Sequence, residues 1–334
     1  MPNVRYLTGF TGSSAVVVVL DKEVLFVSDF RYRTQAEEEI GGLARIDIVS
    51  TDVWDRVFDL VRDHASVESV GYESHVVTDR TRQRLEEGLP ASLRPVVDLV
   101  EGLRCSKDPG EVEAIRQAAQ LACEALDAVL PTIQVGQREI DIAARLEHEL
   151  RIRGSDWHPF QTIVASGPRT ALPHARTSVR QTARGDLLLL DFGAQVDGYC
   201  ADVTRTLVVG AKADERQQTL YELVRHAQKA AREGIRAGMT GREADALARG
   251  PIAVQGFGDQ FGHSLGHGLG LEVHEAPRVS RLNEKPLPVG AVVTIEPGIY
   301  LEGWGGVRIE DDVHLGPDGP ELLSDGESTL KELT

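Results

Sequence analysis

The sequence predicts a mixed α/β protein with two domains, a small one over residues 1–104 and a larger one over residues 105–334. Short apolar runs alternate with helical patterns over roughly the first 100 residues, which is typical of a small α/β domain. A strong helix-start signal follows at Asp108-Pro109. Beyond it, two helices followed by a hairpin occur twice, about 105 residues apart, which predicts a pseudo-symmetric domain with an antiparallel sheet flanked by helices.

The first domain is predicted from runs of β-branched residues and from helical periodicity. The runs 15–20 and 24–28, separated by Asp21-Lys22-Glu23, predict a hairpin. Further strands are predicted over 46–49 and 67–72, and helices over 29–40, 52–64 and 78–87. Because the segment from Tyr6 to Ser14 already has the character of an approach to a strand, we expect an edge strand and a helix to precede it in the complete protein.

The second domain is predicted to begin with a helix that Asp108 caps, and Glu111 and Glu113 suit the positive end of its dipole. After this helix, the first half continues with a helix over 137–153, a strand at 160–165, a loop that carries Pro173-His174, and a strand at 186–193. The second half repeats this order, with helices over 214–237 and 240–249 and strands over 291–295 and 307–315.

Composition and charge restrict the class of function. The formal net charge of −16 argues against a nucleic-acid partner and against binding to an anionic membrane. The three cysteines form no C-x-x-C motif, which favours a reducing compartment over a disulfide framework. No signal peptide and no apolar run long enough to span a bilayer are predicted, so we expect a cytoplasmic protein.

Asp191 and Asp202 flank a predicted turn at Val196-Asp197-Gly198, where Asp-Gly is a strong turn signal. The midpoint between the two aspartates lies inside this turn, so in a symmetric hairpin they would lie opposite each other on one face. Two carboxylates this close repel each other unless a cation lies between them. For a single pair, a salt bridge or a coincidence of register is the alternative.

Glu296 and Glu310 repeat this arrangement. Each follows a predicted strand, and their midpoint lies in the glycine-rich segment 302–306. The two glutamates should therefore face each other across a turn, as the aspartates do. The recurrence of the arrangement favours a functional site over two coincidences of register.

Three histidines, His263, His267 and His274, lie in a glycine-rich stretch from Phe261 to Glu275. Imidazole is the commonest metal ligand in proteins and acts as an acid or base near neutral pH. Glycine allows the backbone to approach a site closely. Taken alone, the stretch also fits a loop with solvated histidines, but the two carboxylate pairs favour a metal site.

Four carboxylates with one or two imidazoles form a hard, oxygen-rich ligand set. Such a set suits Mn²⁺, Co²⁺ or Zn²⁺ better than a thiolate site would. A pair of ions bridged by carboxylates lowers the pKa of a shared water and stabilises a hydrolytic transition state. The chemistry indicated is metal-assisted hydrolysis.

The sequence resembles the pita-bread metallopeptidases, which include aminopeptidase P, prolidase and methionine aminopeptidase, in the order and spacing of five ligands: Asp191, Asp202, His267, Glu296 and Glu310. The resemblance covers nearly the whole chain, and the run NVRYLTGFTGSSA is similar to the N-terminal domain of the Xaa-Pro members. It implies a pita-bread fold for residues 105–334, a homodimer, and two divalent metal ions, with Mn²⁺ as the first choice and Co²⁺ or Zn²⁺ as alternatives.

The resemblance also implies a role for each ligand. Asp191 would bind one ion, and His267 with Glu296 would bind the other. Asp202 and Glu310 would bridge the two.

Further roles are implied for residues around the ligands. His274 would stabilise the tetrahedral intermediate, while His263 and His174 would contact the substrate or the leaving group. Arg308 resembles the arginine that orients substrate and ligands, and its alternative is a structural ion pair with a ligand carboxylate. Glu296 or another ligand carboxylate would carry the proton to the leaving nitrogen.

The implied activity is that of an aminopeptidase that removes the first residue from peptides with proline in second position. The alternative is an Xaa-Pro dipeptidase (prolidase), in which Arg278 would hold the free carboxylate, although small aminopeptidases P can also carry arginine there. The run from Tyr6 to Gly12 resembles small bacterial aminopeptidases P and favours the first activity.

Two further interpretations concern the ligand positions. A non-catalytic pita-bread module that binds peptides is disfavoured, because all five positions hold residues able to bind metal. Cys200 lies two residues before Asp202, and we interpret it as a small buried residue rather than as a ligand.

Overall fold

The computed structural model describes residues 1–64, 67–324 and 329–334. The chain divides into two compact units, Met1–Arg104 and Cys105–Thr334. Each unit combines helices with sheets, so the predicted mixed α/β class is confirmed. In the part of the chain that is described, no helix is long and apolar enough to cross a bilayer.

The first unit alternates short helices and strands. Its helices are α1 (Pro2–Thr8), α2 (Arg33–Ile40), α3 (Val53–Asp63), α4 (Asp79–Gly88) and α5 (Leu99–Arg104). Its strands are β1 (Ala15–Val19), β2 (Val24–Asp29), β3 (Arg45–Val49), β4 (Ser69–Glu73) and β5 (Ser92–Val96). β1 and β2 form the predicted antiparallel hairpin, whereas the β2–β3 and β4–β5 pairs are parallel.

The prediction for the first residues is wrong in one respect. Tyr6 lies in helix α1 and not in an approach to a strand. Pro2 occupies the first turn, where its missing N–H costs nothing, and Gly9 ends the helix in the left-handed conformation with φ of 76°. β5 and α5 are not predicted by the sequence analysis.

The second unit begins with two helices and the strands of the first half. The helices are α6 (Pro109–Val129) and α7 (Glu139–Ile152). The strands are β6 (Ile163–Ser166), β7 (Leu187–Phe192), β8 (Gln195–Val196), β9 (Tyr199–Cys200) and β10 (Val203–Val209).

The second half again has two helices followed by strands. The helices are α8 (Glu215–Gly234) and α9 (Gly241–Val254). The strands are β11 (Gly266–Gly268), β12 (Glu275–Val279), β13 (Val292–Ile295), β14 (Gly298–Leu301), β15 (Gly305–Arg308), β16 (Asp311–Gly316), β17 (Gly319–Leu322) and β18 (Lys331–Leu333). The predicted strand 307–315 is therefore two strands, and Ile309-Glu310 lies between them.

Local chemistry explains where the main helices begin. Asp108 caps α6, Asp214 caps α8 and Thr240 caps α9. In each of the three, the side chain of the third helical residue returns a hydrogen bond to the backbone N–H of the cap. The first helix of each half thus starts with the same motif, as expected for a repeated unit.

Two sheets form the centre of the second unit. One has the strand order β18-β10-β7-β6, and the other has the order β12-β11-β13-β16-β17. α6 and α7 contribute buried residues to one hydrophobic cluster, and α8 and α9 contribute to another. The predicted ligands lie at the ends of strands from these two sheets.

Candidate metal centre

The structure corrects the register that the sequence predicts for the first carboxylate pair. Asp191 in β7 pairs with Thr204 in β10 and not with Asp202. The turn has only two central residues, Asp197 and Gly198, because β8 and β9 pair on either side of them. Both have positive φ, as a type I′ turn requires. The centre of the hairpin therefore lies between Asp197 and Gly198, one residue later in the chain than the sequence predicts.

Asp202 and Asp191 still lie on the same face of the β7–β10 pair, but diagonally and not directly opposite each other. The β7–β10 register, continued by one residue, sets Asp202 against Gly193. A Cβ atom at Gly193 would lie 2.0 Å from the carbonyl oxygen of Ala201, so only glycine allows the chains to approach here. Side chains two residues apart on a strand point to the same face, which brings both aspartates to one side.

The second pair has the register that the sequence predicts. Ile295 pairs with Asp311 on one side of the pair, and Gly298 pairs with Arg308 on the other. Both pairings follow one register, and it places Glu296 opposite Glu310. Glu310 lies in the two-residue gap between β15 and β16.

The predicted ligands lie close together. Asp202, His267 and Glu310 offer ligand atoms that are all within 4.8 Å of one another. Nε2 of His267 is 3.7 Å from Oδ2 of Asp202 and 3.5 Å from Oε1 of Glu296. Asp191 joins the cluster through Arg308, whose Nη2 atom donates to Oδ2 of Asp191.

Burial of like charges makes this cluster unfavourable without a cation. Burial, reinforced by neighbouring carboxylates, raises the pKa of Asp202 and of Glu296 well above the usual range. The same causes raise the pKa of Glu310 to about 8. Among the described residues, Oδ1 of Asp202 is buried without a hydrogen-bond partner. An unpartnered carboxylate oxygen inside an acidic cluster fits a divalent cation.

His267 is held in the orientation and protonation state that a metal ligand needs. Its Nδ1 atom lies 3.1 Å from the carbonyl oxygen of Gly268, which leaves Nε2 facing the carboxylates. Burial lowers the pKa of His267 to about 4, so the ring is neutral at pH 7. Neutral imidazole is the form that binds metal.

His263 lies beside the cluster with both ring nitrogens in hydrogen bonds. Nδ1 is 2.8 Å from the carbonyl oxygen of Ser264, and Nε2 is 2.9 Å from the hydroxyl of Tyr300. Burial lowers the pKa of His263 to about 4, so one nitrogen carries hydrogen. Because a carbonyl only accepts, that nitrogen is Nδ1, and Nε2 accepts from Tyr300.

His274 and His174 lie on the open side of the site. The rings of His274 and His267 are 4.2 Å apart between centroids. Burial lowers the pKa of His274, and the charge of His174 contributes to this shift and to that of His263. His174 itself is exposed, in the loop before β7.

The segment that carries His174 is attached to a buried carboxylate. Glu139, at the start of α7, is wholly buried. It accepts hydrogen bonds from the backbone and hydroxyl of Ser166, from the backbone and hydroxyl of Ser178, and from Nε of Arg169. Sequence reasoning does not identify this role, since its partners lie about 30 to 40 residues away.

Arg308 connects several parts of the site. Nε donates to the hydroxyl of Thr204 at 3.1 Å, and that hydroxyl donates to Oε2 of Glu310 at 2.5 Å. Nη1 donates to the hydroxyl of Tyr300 at 3.0 Å. Arg308 thus forms an ion pair with the carboxylate of Asp191, a predicted ligand, and it also reaches the histidine side of the site through Tyr300.

Sequence reasoning does not identify Tyr300, Thr204 or Asp312. Asp312 is fully buried and accepts from the backbone N–H of Asp202 at 3.1 Å. The repeat of apolar and polar residues offers no signal for these three, because each acts on a residue from another strand.

Cys200 and Arg278 differ in their exposure to solvent. Cys200 is buried and its pKa is raised to about 12 by burial, which agrees with a small buried residue. Arg278 lies in β12 and is exposed. Its charge contributes to the lowered pKa of His274.

Comparison with known proteins agrees with this geometry. Residues 113–317 match metallopeptidase family M24, and residues 1–106 match the creatinase/prolidase N-terminal domain. The Xaa-Pro dipeptidase of Pyrococcus furiosus is 37% identical over 98% of this chain and 92% of its own.

Solved structures give the same result. The Xaa-Pro dipeptidase from Bacillus anthracis is similar with a TM-score of 0.96 and 39% identity, covering 99% of this chain and 92% of that one. The X-Pro aminopeptidase from Thermotoga maritima has a TM-score of 0.93 and 37% identity, covering 98% and 93%. The chain therefore belongs to metallopeptidase family M24, a family of metal-dependent peptide hydrolases with the pita-bread fold.

Proposed function

We propose that the protein is an Xaa-Pro dipeptidase that uses two divalent metal ions. The observation that carries the metal dependence is the cluster of buried carboxylates around His267, which contains Oδ1 of Asp202, an atom without a hydrogen-bond partner among the described residues. The preference for a dipeptidase over the aminopeptidase favoured by the sequence comes from similarity to proteins named Xaa-Pro dipeptidase or prolidase.

The proposal assigns the metal ions to the five predicted ligands: Asp191, Asp202, His267, Glu296 and Glu310. Bound divalent ions supply Lewis acidity and a water molecule of lowered pKa. Mn²⁺ is the first choice for a site of four carboxylates and one imidazole, with Co²⁺ or Zn²⁺ as alternatives.

The other steps are assigned to side chains of the protein. Glu296 carries a proton from water to the leaving nitrogen of proline. His274 stabilises the negative charge that develops on the carbonyl oxygen. His263 and His174 contact the substrate, and Arg308 keeps Asp191 in position. The leaving nitrogen belongs to a tertiary amide without N–H. It needs this proton because an amide anion is a poor leaving group, and the protonated nitrogen departs as the secondary amine of proline.

The metal assignment is tested by removing a bridging carboxylate. Asp202→Ala or Glu310→Ala should reduce bound metal below one ion per chain and lower kcat/KM at least 1,000-fold, on the order expected for losing a metal-held transition state. Elemental analysis and hydrolysis of an Xaa-Pro dipeptide measure the two effects. Glu302→Ala, in the exposed turn of the same hairpin, is the matched control. Full turnover by a metal-replete Glu310→Ala enzyme would refute the assignment.

The substrate class is tested by comparing Xaa-Pro with Xaa-Pro-Xaa. We expect the dipeptide to be the better substrate, and we assign its free proline carboxylate to the exposed guanidinium of Arg278. The second candidate, an Xaa-Pro aminopeptidase, is supported by the likeness to the Thermotoga maritima enzyme. Preferred cleavage of the tripeptide would favour that candidate.

Two further features are proposed from the resemblance. One is a homodimer, and the other is a cytoplasmic location. The described cysteines are free thiols, which suits a reducing compartment. Peptides that contain proline are the proposed partners, and neither a nucleic acid nor a membrane is among them.

A further inference from the structure

Asp245 and Arg249, which are not part of the ligand set, form a buried ion pair on α9. Nε of Arg249 donates to Oδ2 of Asp245 at 2.6 Å, and Nη2 donates to Oδ1 at 2.9 Å. The side chains are 1% exposed for Asp245 and 18% exposed for Arg249. Residues four apart on a helix lie one above the other, so the helix itself holds this two-point contact in place.

The ion pair binds the backbone on both sides of His263. Nη1 of Arg249 donates to the carbonyl of Phe261 at 2.7 Å, and Nη2 donates to the carbonyl of His263 at 2.8 Å. Oδ1 of Asp245 accepts from the N–H of Leu265 at 3.0 Å. Three backbone groups within five residues are therefore attached to one ion pair.

The pair also supports the ring of His263. The guanidinium of Arg249 lies over the ring of Phe261, 4.1 Å from its centroid. The rings of Phe261 and His263 meet edge to face at 5.1 Å. Since both nitrogens of His263 are in hydrogen bonds to Ser264 and Tyr300, a small shift of this backbone would break them.

The first half of the domain holds its own histidine loop in a similar way. Glu139 lies on α7, the second helix of that half, and binds both ends of the segment from Ser166 to Ser178. That segment carries His174, and Arg169 completes an ion pair with Glu139. A buried carboxylate paired with arginine thus fixes a histidine that is not a ligand in each half.

We propose that Asp245 and Arg249 are positioning residues for His263, and that they act on substrate binding and not on metal binding. The proposal rests on the proposed function, in which His263 contacts the substrate. Because the pair touches the chain before and after His263 but no predicted ligand, its loss should raise KM for an Xaa-Pro dipeptide. The affinity for Mn²⁺ should stay within about twofold of the wild type.

The central experiment is a double-mutant cycle with Arg249→Lys, Asp245→Asn and His263→Ala. Lysine keeps the charge but cannot donate in a fork to a carboxylate and two carbonyls. We expect Arg249→Lys and Asp245→Asn each to lower kcat/KM about tenfold or more, mainly through KM. In the His263→Ala background, either change should alter kcat/KM by less than twofold.

The matched control is Arg242→Lys on the same helix, where an exposed ion pair with Glu284 should tolerate the change. Mn²⁺ titration of each purified variant separates metal affinity from catalysis. Equal losses of kcat/KM in both backgrounds would overturn the proposal, as would a large loss of Mn²⁺ affinity. Wild-type kinetics for His263→Ala would overturn it too, since no substrate-side group would then be positioned.

A second measurement needs no substrate and remains valid if one variant fails to fold. With ¹³Cε1-labelled histidine, the signal of His263 is identified by its loss in His263→Ala. This signal should move in Asp245→Asn and in Arg249→Lys, and stay in place in Arg242→Lys. An unchanged signal would overturn the positioning role. Absence of Xaa-Pro hydrolysis by the wild type would instead refute the proposed function.

Discussion

Tyr300 connects the two sides of the site by hydrogen bonds. Its hydroxyl accepts from Arg308, which is bound to Asp191, and donates to His263. Gly306 lies opposite Tyr300 in the β14–β15 pair, and a Cβ atom at Gly306 would approach the tyrosine ring to 2.8 Å. Glycine therefore leaves the space that this ring occupies.

Tyr300→Phe removes both hydrogen bonds and leaves a buried guanidinium N–H without a partner. We expect a loss of about 1–3 kcal/mol in stability and about a tenfold decrease in kcat/KM, with Mn²⁺ affinity unchanged. Thermal unfolding, steady-state kinetics and metal titration test the three expectations.

Tyr199→Phe is a suitable control, because its hydroxyl also donates a hydrogen bond to a side chain, that of Glu111, which is not a residue of the site. If Tyr300→Phe and Tyr199→Phe had the same kinetics, the hydroxyl of Tyr300 would have no role in orienting His263.

At the level of elements, β11 shows how glycine brings the predicted ligand His267 into place. Gly266 and Gly268 flank His267, and this short strand pairs with β12 and β13. A Cβ atom at Gly266 would lie 1.9 Å from the carbonyl oxygen of Thr294 in β13. The N–H of His267 also donates to the hydroxyl of Thr294 at 3.2 Å. The close approach of these strands sets the position of His267.

Gly266→Ala should push β11 away from β13. We expect the free energy of unfolding to fall by about 3 kcal/mol and the affinity for Mn²⁺ to fall at least tenfold, since the methyl group meets backbone that cannot give way. Chemical denaturation and metal titration measure these effects.

Gly262→Ala provides the control within the same stretch. Its Cβ atom would meet no atom of the described residues within 4 Å, and its φ is not positive. This variant should retain both stability and metal affinity. Equal effects of the two substitutions would show that the glycines matter for flexibility and not for close packing.

For the whole molecule, the buried carboxylates should make the metal-free protein less stable as pH rises. A carboxyl whose pKa is higher in the folded state keeps its proton while the unfolded chain has already ionised. For Glu310 the folded pKa is about 8 against an ordinary value of 4.5, so its contribution makes the protein less stable as pH rises from 4.5 to about 8. His263 and His267, with pKa values lowered to about 4, make the protein more stable as pH rises from about 4 to 6.5. Above the ordinary histidine pKa of 6.5, their contribution to stability no longer changes with pH.

From pH 6.5 to 8 the buried carboxyl groups lower the stability, and His64 and His75 add to the decline, because hydrogen bonds to Leu60 and to Glu101 raise their pKa values and this stabilisation is lost as pH rises. We expect the carboxyl groups to lower the stability of the metal-free protein there by up to about 2 kcal/mol per retained proton, and saturating Mn²⁺ to remove this part of the decline because metal binds the ionised form. Thermal scans with a chelator and with Mn²⁺ test this. Glu310→Gln should flatten the metal-free curve, and stability that rises with pH in this range would contradict the explanation.

Much of the second unit can be predicted from local chemistry. The capping residues Asp108, Asp214 and Thr240 mark helix starts, because their hydrogen bonds involve only residues three positions away. The opposition of Glu296 and Glu310 follows from a hairpin whose register is continuous on both sides of the pair. The five residues able to bind metal can be identified in the sequence, because few other patterns place four carboxylates around a glycine-rich histidine stretch.

From the sequence alone, the chemical groups, their order and the elements that carry them can be predicted. The folded structure is needed to show that Asp202 lies diagonal to Asp191, that Tyr300 joins Arg308 to His263, and that Asp245 and Arg249 hold the histidine segment. Caps and turns depend on neighbours within a few residues, whereas these contacts join positions 8 to 37 residues apart. Periodicity along one strand or helix carries no information about which side chain of another will lie against it.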